Sequence, residues 1–143
     1  MLADNANRYV GFECFDSDTA HLRARVLPDE NGLNSDVPTD DSVEIYVDPR
    51  AGGSYLRRAL NSLGAAKASA AGGWQVATKV EADRWLVEVR IPFALIGAAP
   101  AAGEVWGFNA CRNDQSSGES TAWSCTEGGY ANPERFGGLL FLQ

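Results

Sequence analysis

The sequence predicts an all-β protein, an antiparallel β-sandwich. Three observations point there: apolar and polar residues alternate with period two, strand-sized segments recur about every ten residues, and helical periodicity is nearly absent. The chain has 143 residues, enough for one two-layer core, so residues 1–143 are expected to form a single domain. The physical reason is common to all the strands. Successive side chains of an extended chain point to opposite faces, so a half-buried strand buries every second residue.

Residues 9–15 form the first strand candidate and residues 21–26 the second. In residues 42–47, Val43, Ile45 and Val47 share the inward face, with Glu44 and Tyr46 opposite. Residues 55–61 suit a strand or a short helix, because Leu56, Ala59, Leu60 and Leu63 fit either. Residues 64–73 are small and Ala-rich, ending in the turn Ala71-Gly72-Gly73. Residues 74–81 and 84–91 make a hairpin across the short link Ala82-Asp83. Trp85, Val87, Val89 and Ile91 point to its inward face, and Glu88 and Arg90 outward. Residues 92–97 read as one helical turn, opened by Pro92 and closed by Gly97. Residues 105–112 and 138–142 complete the set. Two long loops, 28–41 and 114–120, are where a rigid sandwich usually carries binding.

Composition narrows the function. Hydrophobic residues make up 45% and charged residues 22%, as in an ordinary globular domain. Net charge is −7 and the basic residues are scattered, which argues against a nucleic-acid partner. No apolar run reaches the roughly 20 residues of a spanning helix, so no membrane partner is expected. The first residues show neither the basic nor the apolar region of a signal peptide. Cys14, Cys111 and Cys125 have no metal spacing and read as free thiols, although Cys14 and Cys111 lie on strands that could be neighbours. His21 is the sole histidine, so a Ser-His-Asp or Cys-His constellation would have to include it. Glu44 with Glu88 or Glu127 could pair as glycosidase carboxylates, but nothing in the sequence selects such a pair. No catalytic set is therefore expected. Trp85 and Trp106 fall on apolar faces and read as core; Trp74 and Trp123 border loops, with core the preferred reading and a ligand platform the other. Tyr130, in a loop between Gly129 and Ala131, is the best stacking candidate. Asp16, Asp18, Asp40 and Asp41 read as loop solubilisers or amide partners sooner than calcium ligands, since calcium needs about six oxygens.

A wider pattern runs through Tyr9-Val-Gly-Phe-Glu-Cys-Phe-Asp16, Asp40-Asp-Ser-Val-Glu-Ile-Tyr-Val-Asp-Pro49, Trp85 to Pro92, Trp106-Gly-Phe-Asn109, Trp123-Ser124 and Asn132-Pro-Glu-Arg-Phe-Gly137. In this order the blocks resemble the family 9 carbohydrate-binding modules of the DOMON-like sandwich group. The resemblance implies a jelly-roll or immunoglobulin-like sandwich that binds mono- or oligosaccharide ends of plant or bacterial polysaccharide. It also implies a non-catalytic accessory to a polysaccharide-degrading enzyme, within a larger secreted or periplasmic protein, often with structural calcium. Haem, which some DOMON relatives hold through Met and His, is not expected, because Met1 is the only methionine. Family members hold a pyranose between two aromatic rings. The first ring would stand at Val37-Pro38, where this chain has no aromatic; the second matches Tyr130. Glu44 matches the family's acidic residue, and Asn109 or Arg112 its amide or basic positions. The expected ligand set is thus Tyr130, Glu44, Asn109 and Arg112, with Trp74 and Trp123 as further platforms. Readings from other classes are an interaction module without sugar binding and, more weakly, a small glycan-acting hydrolase. The resemblance also implies strands ahead of Tyr9, so that strand is expected to have an exposed edge and to pair with a second copy or an adjoining segment.

Overall fold

The computed structural model describes residues 1–29, 36–68, 73–97 and 99–142. Two antiparallel sheets form the expected sandwich. The smaller sheet runs β1 (Leu2–Ala3), β2 (Asn7–Phe15), β7 (Arg84–Pro92) and β6 (Gln75–Val80). The larger runs β10 (Gly137–Leu140), β8 (Val105–Asp114), β3 (Ser42–Asp48), β4 (Leu56–Asn61) and β5 (Ala66–Ala68), and β9 (Glu119–Ala122) also pairs with β8. Both β9 and β10 use the same edge of β8, β9 opposite residues 111–114 and β10 opposite residues 105–108. Among the described residues no helix is long and apolar enough to cross a membrane.

The alternation read from the sequence sets the core. Val10 and Cys14 of β2 and Trp85, Val87, Val89 and Ile91 of β7 meet Val43, Ile45 and Val47 of β3 and Trp106 and Phe108 of β8. Burying each large side chain is worth about 2 kcal/mol. Trp85 and Trp106 are fully buried, as expected. The ambiguous residues 55–61 resolve as strand β4, whose Leu60 faces Val43 across the ladder. Residues 92–97 contain the 3-10 turn Phe93–Leu95. β5 and β9 carry no clear alternation, and β1 has only two residues, so the sequence did not mark them. β5 follows a tight reversal in which Asn61 Oδ1 accepts the N–H groups of Leu63 and Ala65, with Gly64 at φ +80°.

Residues 21–26 are not a strand. A 3-10 turn spans Thr19–His21, and the chain beyond it joins neither sheet. Two carboxylates take the N–H groups that a ladder would have used: Arg23 donates to Asp41, and Arg25 and Val26 donate to Asp40 at 3.0 and 2.9 Å. Asp41 also accepts from Gln115 N at 2.6 Å, and Asp40 from Asn61 Nδ2 at 2.9 Å. Both aspartates are wholly buried, so the reading of them as loop solubilisers gives way to that of amide partners. Residues 71–72 of the expected turn and 30–35 of the long loop lie outside the described residues.

All three thiols are unpaired, Cys14 and Cys111 buried and Cys125 exposed. Cys14 faces the core from β2, whereas Cys111 stands opposite Glu44 on the outer side of the larger sheet, so the sheet separates them.

Candidate functional site

β3 is buried on both faces. Its inward residues build the core; of its outward residues, Tyr46 is covered by Tyr55 and Phe136, Asp48 accepts the N–H groups of Gly52 and Gly53 at 3.1 and 2.8 Å, and Ser42 accepts Asn113 Nδ2 at 3.1 Å. Strand pairing sets Tyr46 beside Asn109 of β8 and Arg57 of β4, Glu44 beside Cys111, and Ser42 beside Asn113. Cross-strand neighbours on one face touch, and here they form a polar floor centred on Glu44.

Glu44 is 3% exposed, and its carboxylate is fully engaged. Oε2 accepts the Tyr46 hydroxyl at 2.7 Å and Arg57 Nε at 2.8 Å, with Arg57 Nη2 at 2.7 Å. Oε1 accepts Asn113 Nδ2 at 3.1 Å. A buried carboxylate survives only with such partners. Burial, and then the bond to the Glu44 carboxylate, push the Tyr46 phenol far above its ordinary value. Burial, and then the Glu44 charge, push the Cys111 thiol up to about 12. Arg57 is 25% exposed, so its guanidinium carries the floor's charge pair toward solvent.

Aromatic rings border the floor on two sides. Tyr46, Tyr55 and Phe136 form a trio with centroids 5.5 to 5.6 Å apart, and the Arg57 guanidinium lies 5.7 Å above the Tyr46 ring. Tyr130 is half-buried, its hydroxyl donating to the Arg112 carbonyl at 2.8 Å. Burial raises its phenol, and the nearby Cys111 and Glu44 add to the shift. Where the resemblance places the other ring, Val37 is fully buried against Ala59 and Ala65, with Val26 beside them. A small aliphatic cluster closes that side.

The structure therefore brings together Glu44, Asn109 and Tyr130 of the expected set and separates the rest. Asn109 is wholly buried and its amide is already engaged, donating to Ser124 O at 3.0 Å and accepting Ser124 N at 2.9 Å. Arg112 shares the inward face of β8 with Phe108, because odd and even residues of a strand part company. Its guanidinium donates to Phe15 O at 2.8 Å and to Asp114 at 3.2 Å. Trp74 packs half-buried against the core, with the Arg58 guanidinium 5.7 Å above its ring. Trp123 is 58% exposed, so the preferred reading of it as core is overturned. The chain leaves the β8 edge there, and Gly137 leaves room for the ring beside the backbone. Arg57, Tyr46 and Asn113 were not singled out in the sequence. Alternation alone puts Tyr46 on the Glu44 face; Arg57 and Asn113 reach it only through the pairing of distant strands.

No three His, Cys, Asp or Glu side chains converge to hold an ion among the described residues. Of the aspartates first considered for calcium, Asp40 and Asp41 are already filled. Both face N–H donors, whose positive ends occupy the direction a cation would take. Asp16 accepts from Asp18 N at 2.8 Å, and Asp18 pairs with the exposed His21 at 2.7 Å.

Residues 13–143 match the family described as carbohydrate family 9 binding domain-like. No curated protein matches significantly. Solved structures do. A family 9 carbohydrate-binding module from Caldicellulosiruptor kristjanssonii, in complex with cellotriose, superposes with a TM-score of 0.73 at 25% identity, covering 99% of this chain and 72% of that one. A family 9 module from the same organism in complex with glucose gives 0.70 at 26% identity, covering 96% and 72%. A putative carbohydrate-binding protein from Bacteroides uniformis shares the fold, with a TM-score of 0.73 at 15% identity, covering 96% of this chain and 74% of that one.

Proposed function

The chain belongs to the carbohydrate family 9 binding domain-like family, and from that premise we propose that it is a non-catalytic module binding mono- or oligosaccharide on the outer face of the larger sheet. The Glu44–Arg57 pair, set among Tyr46, Asn113 and Tyr130, is the observation that carries this reading. Arg57 presents N–H groups already fixed by Glu44, so little side-chain order remains to be lost when a sugar hydroxyl accepts from them. Tyr130 offers an aromatic face to the C–H side of a pyranose, and its own hydroxyl is anchored on β8. The two Caldicellulosiruptor modules were solved with cellotriose and with glucose, which supports this ligand class. In its natural setting the module would hold a polysaccharide-degrading enzyme near its substrate, in a secreted or periplasmic protein.

Titration calorimetry with glucose and cellotriose tests the proposal. Arg57→Lys keeps the charge but loses the planar fork, and Tyr130→Ala removes the stacking face. Each is expected to weaken binding roughly tenfold or more, with the melting temperature of Tyr130→Ala little changed. Wild-type affinity in both variants would overturn the floor as the site, and absence of any saccharide binding would leave a contact module as the better reading.

A further inference from the structure

Trp123 is held in place with unusual thoroughness for an exposed residue. Its N–H donates to Ala110 O at 2.8 Å. The next residue, Ser124, is gripped from both sides by the buried Asn109 amide, and its hydroxyl donates to Arg135 O at 2.8 Å. The ring meets Phe108 edge-on, with centroids 5.8 Å apart. It lies so close to Gly137 that a Cβ there would come within 2.2 Å of ring carbon Cζ3. A fixed indole that stays 58% exposed is a platform prepared in advance.

What lies beside it is the seam between the two sheets. A recess of about 420 Å³ is bounded by Trp123, Thr121 and Arg112 on one side and by Phe12, Glu13 and Phe15 on the other. Here β2 is an edge strand. β1 pairs only with Arg8 and Tyr9, and β7 occupies the opposite side of β2. Asp4 N donates to Asn7 O and Arg112 to Phe15 O on the open side, while Asp16 N donates to Asp83 O on the β7 side. By alternation, the N–H and C=O groups of Gly11 and Glu13 also face the open side. Among the described residues neither finds a partner there.

We propose that this seam is a second saccharide subsite, taking one pyranose ring against the Trp123 indole. It rests on the carbohydrate-binding reading above but uses none of that site's side chains. The flat indole matches the C–H face of the sugar. The ring's hydroxyls, which both donate and accept, meet groups of both kinds: the main chain of Glu13 and the Thr121 hydroxyl in the recess, with Gly11 beside Met1 and Trp123 in its continuation. The Glu13 carboxylate turns to Arg84 at 3.7 Å. A protein strand suits the seam less well. The open run is short, closed at one end by β1 and at the other by the Arg112 bond to Phe15 O. A second copy would bring its acidic Glu13 close to this one and add another chain of net charge −7.

Two-dimensional NMR of the full chain, titrated with cellotriose, separates the two sites. The Trp123 indole N–H signal, assigned by its loss in Trp123→Phe, is expected to shift with cellotriose. It should still shift in the Arg57→Lys, Tyr130→Ala double variant. Gly137→Ala, which pushes the ring aside without removing it, should weaken that shift's apparent affinity roughly tenfold. If the Arg57 and Tyr130 signals move while Trp123 stays still, the seam proposal falls and the floor stands. If Trp123 alone moves, the seam stands and the floor falls. If neither responds, both are overturned.

Discussion

The outer face of β3 and the seam beside β2 solve opposite problems. On the floor, every hydrogen-bonding atom of Glu44 already has a partner and the carboxylate is buried, so a ligand can reach the charge only through Arg57 and the bordering rings. In the seam the Gly11 and Glu13 main chain finds no partner on the open side among the described residues, and the aromatic ring is more than half exposed. The difference shows that rigidity has two sources. A network of mutual hydrogen bonds fixes polar side chains by saturating them, which leaves little for a ligand to bond. Packing and a missing Cβ fix an aromatic without covering its face.

Removing the centre of the floor should have the largest effect. Glu44→Ala leaves the half-buried Arg57 without its carboxylate and strips partners from Tyr46 and Asn113. A loss of about 3–5 kcal/mol is expected by chemical denaturation. A loss below about 1 kcal/mol would mean that the floor is not held by its ion pair and that the contrast with the seam is wrong. Trp123→Ala should cost less, about 1–2 kcal/mol, since the ring is 58% exposed and gives up contacts such as those with Phe108 and Gly137. A greater loss there than in Glu44→Ala would invert the comparison.

An effect absent at neutral pH appears on the alkaline side, and it samples one thiol from each region. Burial pushes Cys14, which lines the seam, up to about 11 and Cys111, beneath the floor, up to about 12, from an ordinary 9.0. Below pH 9 the thiols are protonated in both folded and unfolded chains and do not bear on stability's pH dependence. Above it the unfolded chain loses these protons first. Stability should then fall up to pH about 11 through Cys14 and about 12 through Cys111, by at most about 1.4 kcal/mol per pH unit for each thiol. Cys111→Ala should make the slope shallower, and an unchanged slope would show that Cys111 is not protected.

Much of the fold was legible because its signal is local. Val43 to Val47 and Trp85 to Ile91 declare their inward faces by alternation alone. Residues 21–26 carry strand-like composition, but their backbone is claimed by two carboxylates that lie 14 to 18 positions later. No local pattern announces such a bond. The candidate site divided the same way. Glu44 and Tyr130 were visible through their motif blocks, whereas Arg57 joins them only because Tyr46 pairs with it across β3 and β4. Arg112 misled because its composition suits a sugar site; one residue of strand register sends it to the other face. Trp123 misled because large aromatics are usually buried, and its exposure depends on Gly137 in another strand.

The bonds from Asp40 and Asp41 to residues 23–26 grip only main chain. An N–H group is common to every residue type except proline, so the hold is indifferent to which side chains stand at positions 23, 25 and 26. The exposed positions 23 and 25 can diverge freely between relatives while the path stays fixed, whereas Val26 also packs beside Val37. The two aspartates, and the absence of proline opposite them, are where substitution would be felt.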